Sequence, residues 1–133
     1  MIVADFNLIA YLVIRGGQTP QAEAVLRRDP AWAAPVLWRS EFRNILALYL
    51  RQKHFSLADA LRYMREAEAL LHGNEYQVES DPVLALADQS GRSAYDCEFV
   101  HLAQDLGVQL VTADRQVLRS FPSVAISMED FVK

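Results

Sequence analysis

Ile2-Val3-Ala4-Asp5 is a β-type run closed by a carboxylate, and behind it the apolar residues of 7–14 recur at helical spacing until Gly16-Gly17 stops them. A strand that hands over to a helix so quickly is the opening of an α/β unit, and the rhythm continues outward from it. Residues 19–28 predict a helix with Pro20 in its first turn and Asp29-Pro30 at its end. Residues 31–36 predict a strand, with Trp32 and Pro35 its atypical members. Helices are expected over 37–53 and, behind Ser56 as N-cap, over 57–71, with His72-Gly73-Asn74 as the stop. A brief strand at 76–78, a short helix from Asp81-Pro82 and a clearer helix over 95–106, closed by Gly107, come next. Strands at 109–112 and, more weakly, 124–126 complete the chain. Strands alternating with helices in this way imply an α/β domain whose mostly parallel sheet is covered on both faces.

With 133 residues, no linker-like stretch and no repeat, the chain has room for one domain, residues 1–133. A hydrophobic share of 52% predicts a real core and excludes a disordered tail. One Cys supplies neither a disulfide framework nor a Cys-based zinc site, which points to a reducing, cytoplasmic setting. The apolar opening lacks a basic leading region and carries Asp5 and Asn7, unlike a secretory leader, and no apolar run approaches the about 18 residues of a membrane span. Thirteen basic against 17 acidic side chains give a formal charge of −4, which argues against a general basic surface for nucleic acid and leaves room for a local basic rim.

Four of the acids stand in costly places. At about 100° per residue the helix from Leu37 carries Leu37, Leu48, Ile45, Trp38, Tyr49, Phe42, Leu46 and Leu50 across an arc of about 220°, and Glu41 falls inside it. On the helix from Tyr95, Asp96 lies with the apolar set between Ala103 and Val100, while Cys97, Glu98, His101, Gln104 and Asp105 share the other side. An unpaired carboxylate on a buried stripe costs several kcal/mol, so each needs a partner, a raised pKa, a metal or a cleft. Asp5 and Asp114 close the runs Ile2-Val3-Ala4-Asp5 and Leu110-Val111-Thr112-Ala113-Asp114, and the carboxyl ends of strands are where open α/β sheets bind ligands. Taken singly, Asp5 and Asp114 read equally as helix N-caps, Asp96 as a first-turn acid and Glu41 as the ion-pair partner of Arg92 or Arg115. Taken together they form a carboxylate cluster without His or Cys, which suits a hard divalent cation, Mg²⁺ or Mn²⁺. Such a cation also relieves the mutual repulsion that would otherwise protonate some of the four.

Ile2-Val3-Ala4-Asp5-Phe6-Asn7, Ser40-Glu41-Phe42, Ser93-Ala94-Tyr95-Asp96-Cys97 and Leu110-Val111-Thr112-Ala113-Asp114-Arg115 resemble the successive motifs of the PIN-domain family, in particular the toxin members of VapBC-type toxin–antitoxin pairs. The resemblance spans essentially the whole chain. It implies a three-layer α/β/α fold with about five strands and Mg²⁺- or Mn²⁺-dependent cleavage of RNA. It also implies an acidic site of Asp5, Glu41, Asp96 and Asp114, catalytic and metal-binding at once, with Asn7 and Thr112 as polar supports. Phe6 stands where the family usually has Thr or Ser, and Cys97 where a small residue such as Ala is common; both departures touch the surroundings of the acids and remove none of them. Similar toxins form homodimers and hold an antitoxin segment in a groove beside the acids. The wide apolar arc of the Leu37 helix agrees, being broader than one core covers.

Other residues read more plainly. His54, His72 and His101 share no metal-binding spacing and are expected at the surface, and Cys97 as an inert thiol. Trp32, Trp38 and Phe42 are expected in core or interface packing, and Arg39, Arg43 and Arg115 either on a solvated face or against phosphates. Two rival functions remain open: a phosphatase with Asp5 as nucleophile, disfavoured by Asp5-Phe6-Asn7 in place of an Asp-x-Asp pair and by the absence of Lys between Lys53 and Lys133, and a non-catalytic PIN-like binding module.

Overall fold

The structure, a computed structural model, describes residues 1–133. Its strands are β1 (Ile2–Ala4), β2 (Trp32–Pro35), β3 (Glu75–Tyr76), β4 (Leu110–Val111) and β5 (Ala125–Ile126). Its helices are α1 (Phe6–Val13), α2 (Thr19–Arg28), α3 (Trp38–Arg51), α4 (Leu57–Leu70), α5 (Ser80–Ser90), α6 (Ala94–Leu106), α7 (Arg115–Ser120) and α8 (Met128–Phe131). The strands form one parallel sheet in the order β3-β2-β1-β4-β5, with Val3 opposite Ala33 on one side and Leu110 on the other. Strand order reverses at β1: the chain builds outward through β2 and β3, then returns to β4 on the far side. The crevice of such a sheet therefore opens at the carboxyl ends of β1 and β4.

Ile2, Val3 and Ala4 are all buried, and because successive strand side chains point to opposite faces, helices must cover both. Helix α6 packs against β1, β2 and β4, and α1 packs against β1 together with α2, α3 and α4. Pro35 is harmless inside β2: Ala34 and Val36 donate to Asn74 and Tyr76 on the β3 side, so the missing N–H falls on the side where β1 has already ended. Trp32, Trp38 and Phe42 are fully buried, as the core reading required, and the Trp32 indole donates to the Asp29 carbonyl at 2.8 Å.

Helix ends follow local chemistry. Ser56 and Asp59 form a reciprocal capping box at the start of α4, and Ser93 caps α6 by accepting from the Asp96 N–H at 3.0 Å. Gly91 and Gly107 end α5 and α6 with φ of 71° and 68°, a left-handed conformation that any β-carbon would strain. No helix is long and apolar enough to cross a membrane.

The sequence reading needs several corrections. Helices α7 and α8 were not expected. Tyr95, assigned to the apolar side of its helix, is 62% exposed, whereas Cys97 is fully buried, because α6 packs on both the sheet and α5 and so has more than one covered side. Arg39 is half-buried and not free for phosphate: its Nε and Nη2 donate to Glu75 at 2.6 and 2.7 Å, its Nη1 to Glu68, and the Trp38 indole also donates to Glu75. That clamp ties the start of α3 to β3 and α4. The arc of α3 is only partly covered: Trp38, Phe42 and Leu46 are buried, Tyr49 meets Phe55 edge-on at 5.7 Å, and Leu48 is 43% exposed.

Candidate active site

Asp5 is the first residue after β1 and serves as the N-cap of α1. Its Oδ1 accepts from the Phe6 N–H at 2.8 Å and its Oδ2 from the Thr112 hydroxyl at 2.7 Å. The bond from residue 6 comes from the backbone, so Phe at that position leaves it intact. Thr112 is wholly buried, and its oxygen also accepts from the Asn7 amide at 3.4 Å and the Asp114 N–H at 3.0 Å, so its one donor and two acceptor sites are all used. Asn7 in turn accepts from the Ala113 N–H at 3.2 Å. These three polar residues stitch the end of β1 to the end of β4 across the crevice. Asp114 caps α7, with its Oδ1 accepting from the N–H groups of Gln116 and Val117 at 2.8 and 3.3 Å.

The other two acids also stand at helix starts, Glu41 in the first turn of α3 and Asp96 in that of α6. All four thus lie at the positive ends of helix dipoles, where a carboxylate is favoured. The N-cap and first-turn roles do hold for Asp5, Asp114 and Asp96. The ion-pair role does not hold for Glu41: neither Arg92 nor Arg115 pairs with it, and its Oε1 is buried without any hydrogen-bond partner.

Burial, and then mutual repulsion, raise the pKa values of Asp5, Glu41 and Asp96. Burial is the main cause at Asp5, which is pushed up to about 6 against the pull of Thr112 and the Phe6 N–H, with Asp96 and Asp114 adding repulsion. Glu41 is pushed up to about 8, first by burial and then by Asp5, Asp96 and Glu98. Asp96 is raised by burial and by Asp114, with Ser93 and Arg92 opposing. The oxygen-only donors and the orphaned Glu41 Oε1 fit a hard cation. No three acidic, His or Cys side chains approach closely enough to hold one ion between them. A hard cation at this spacing would take one or two of the carboxylates directly and reach the others through its waters.

Comparison with known proteins bears on this arrangement. No family model matches the chain. It is 27% identical over 126 residues to ribonuclease VapC3 of Pyrobaculum aerophilum, a match covering 92% of this chain and 96% of that one. The two sequences are thus similar along nearly their whole lengths. Solved structures share its fold: PAE2754 from P. aerophilum (TM-score 0.78, 20% identity, 98% of this chain and 85% of that one) and FitAcB from Neisseria gonorrhoeae (0.73, 18%, 97% and 99%). A toxin–antitoxin complex from Klebsiella pneumoniae matches at 0.69 with 15% identity over 96% and 98% of the two chains.

One acid beside the site escaped the sequence reading. Glu98, assigned to the polar side of α6, is half-buried, has its pKa raised by burial and acts on Glu41. Its spacing of two residues from Asp96 was the available signal, but helical arithmetic sets such a pair on different faces. His54 and His72 are exposed, His101 is half-buried, and Cys97 is a buried thiol whose pKa is pushed up by burial, the inert state expected of it.

Proposed function

We propose that the chain is a divalent-metal-dependent endoribonuclease that acts as the toxin of a toxin–antitoxin pair. The observation that carries this reading is the convergence of Asp5, Glu41, Asp96 and Asp114, from separate segments, on the crevice where strand order reverses, with a buried Glu41 oxygen left unpartnered. Similarity to a protein named a ribonuclease over nearly the full length of both supports it.

Asp5, Asp96 and Asp114 are the residues to hold Mg²⁺ or Mn²⁺, directly or through water, and Glu41 is a further ligand or the group that positions the attacking water. A bound cation supplies Lewis acidity and a water acidic enough to attack a phosphodiester near neutral pH. The unpartnered oxygen of Glu41 is the atom free to orient that water, and the carboxylate would take its proton in the ionised form. Thr112 and Asn7 keep Asp5 and the Asp114 backbone in register.

The partners in this reading are an RNA substrate, a second copy of the chain and a cognate antitoxin. Leu84 on α5 and Tyr95 on α6, 61% and 62% exposed on helices that pack together, support one protein contact, and Leu48, Leu57 and Leu61 on α3 and α4 another. RNA cleavage should disappear in EDTA and return on adding Mg²⁺ or Mn²⁺, and expression without a partner should slow growth while the Asp5→Asn form is harmless. Cleavage undiminished in EDTA would remove the metal from the mechanism; a wild-type protein that cleaves RNA without harm to the cell would remove the toxin role.

A further inference from the structure

The site collects carboxylates and its proposed substrate is a polyanion, so a side-chain cation at the rim would help the proposed metal to hold the phosphates that the acids repel. Arg92 is placed for this. It lies on the three-residue connection between α5 and α6, fixed on one side by Gly91 in its left-handed cap and on the other by Ser93 capping α6. Its backbone N–H donates to the Ser90 hydroxyl at 3.1 Å. Its Nη1 donates to the side-chain carbonyl of Gln116, the residue whose backbone N–H holds the Asp114 carboxylate. Asp96 stands one helical turn along from it. The guanidinium therefore spans the outer edge of the site from α6 to α7, between two of its acids.

Arg92 takes part in none of the ion pairs of the chain, unlike Arg15, Arg39 and Arg62. It bears on Asp96, whereas no cation bears on Asp5 or Glu41. Its single side-chain partner is a neutral amide, and its Nε is buried with no acceptor. With Nε buried and Nη1 held by Gln116, the plane of the guanidinium is fixed, and its Nη2 and second Nη1 hydrogen remain to be used. Such a fork matches two oxygens of a phosphate, which a Lys ammonium does not.

We propose that Arg92 binds substrate directly, gripping the RNA phosphate next to the scissile bond; the assignment rests on the ribonuclease reading above. The test is binding of a fluorescein-labelled, mixed-sequence, single-stranded RNA by the full chain in Mg²⁺, in an Asp5→Asn background that leaves the RNA intact, titrated over a range of KCl. Arg92→Gln and Arg92→Ala should bind about tenfold more weakly, with a log–log salt slope shallower by about 0.7, the loss of one phosphate contact on a single strand. Arg92→Lys should keep the slope at reduced affinity, and Gln116→Ala, which removes the holder and leaves the charge, should keep most of both.

Neutral variants with the parental affinity and slope would overturn the proposal, as would equal losses in Arg92→Lys and Arg92→Gln accompanied by a fall in Tm and no change of slope. If the neutral variants do not fold, Arg92→Lys decides: reduced affinity at an unchanged slope supports the fork, and parental affinity overturns it. Wild-type protein that neither binds nor cleaves RNA in Mg²⁺ would defeat the ribonuclease reading and this one with it. Wild-type cleavage alongside unaffected Arg92 variants would defeat this one alone.

Discussion

Asp5 is a buried acid and Glu41 a half-buried one, both at helix starts, but the molecule treats them in opposite ways. Asp5 is bonded on both oxygens, to the Phe6 N–H and to Thr112, and its pKa rises only to about 6. Glu41 has a buried oxygen with no partner and no cation beside it, and its pKa rises to about 8. One acid is held in place by the fold; the other is left for something outside the fold to satisfy. A burial penalty that the chain itself does not offset is what a site prepared for a charged ligand should show.

The sharpest way to break the comparison is to neutralise the fixed acid. Asp5→Asn should lower RNA cleavage by on the order of a hundredfold or more, since it removes a ligand charge at the centre of the site. Asn is as good an N-cap as Asp, so the fold should survive. Asp96→Asn and Asp114→Asn are expected to behave alike. A variant that unfolds while its remaining folded fraction cleaves normally would show that acid to be a helix cap and nothing more.

The stitching around Asp5 is tested next. Thr112→Val keeps the shape but deprives Asp5, Asn7 and the Asp114 N–H of a partner at once. It should cost about 1–3 kcal/mol in denaturant unfolding and on the order of tenfold in cleavage, with Thr112→Ser restoring most of both. Full activity in Thr112→Val would mean that Asp5 is positioned by backbone alone.

Much of this was legible before the structure because the deciding signals are local. An acid closing a short apolar run marks the end of β1, and Ser56, Ser93, Gly91 and Gly107 mark helix ends through their own chemistry. What stayed hidden depends on neighbours. Helices α7 and α8 span 6 and 4 residues, too few to display a period, and they rest on their Asp114 and Ser127 caps. Glu98 and Tyr95 were misplaced because a helical wheel assumes one covered face, whereas α6 lies against both the sheet and α5. The fate of Arg39 rested on Glu68 and Glu75, about thirty residues away or more, which no local pattern reveals.

A pH series extends the contrast to stability. An unfolded carboxyl titrates near about 4, so between that pH and the raised folded values the native state holds more protons than the unfolded one. Metal-free protein should therefore lose stability as pH rises, through the Asp5 range near 6 and on through the Glu41 range near 8, the reverse of an ordinary ion-paired acid. Saturating Mg²⁺ should flatten the decline, because it binds the ionised forms of the native state. Urea midpoints across that range, with and without Mg²⁺, measure this, and metal-free stability that increases with pH would contradict it.

Removing the unsatisfied acid is the smallest expected effect and the most diagnostic. Glu41→Gln abolishes the charge whose burial and repulsion raise its pKa, and the Gln amide is isosteric, so the volume filled at that position is unchanged. Solvent screening at the half-open site leaves only part of the penalty, so metal-free protein should gain about 1 kcal/mol at pH 8 and almost nothing at pH 5, where Glu41 is already neutral. In Mg²⁺ the gain should shrink or reverse, because the wild type recovers the cost through binding. Asp5→Asn differs in kind: neutralising Asp5 also weakens its bond from Thr112, so relief of repulsion and loss of a charge-assisted bond oppose each other. If Glu41→Gln were instead destabilising in metal-free buffer at pH 8, its orphaned oxygen would have a partner in solution, and Glu41 would belong with Asp5 among the acids that the fold itself holds in place.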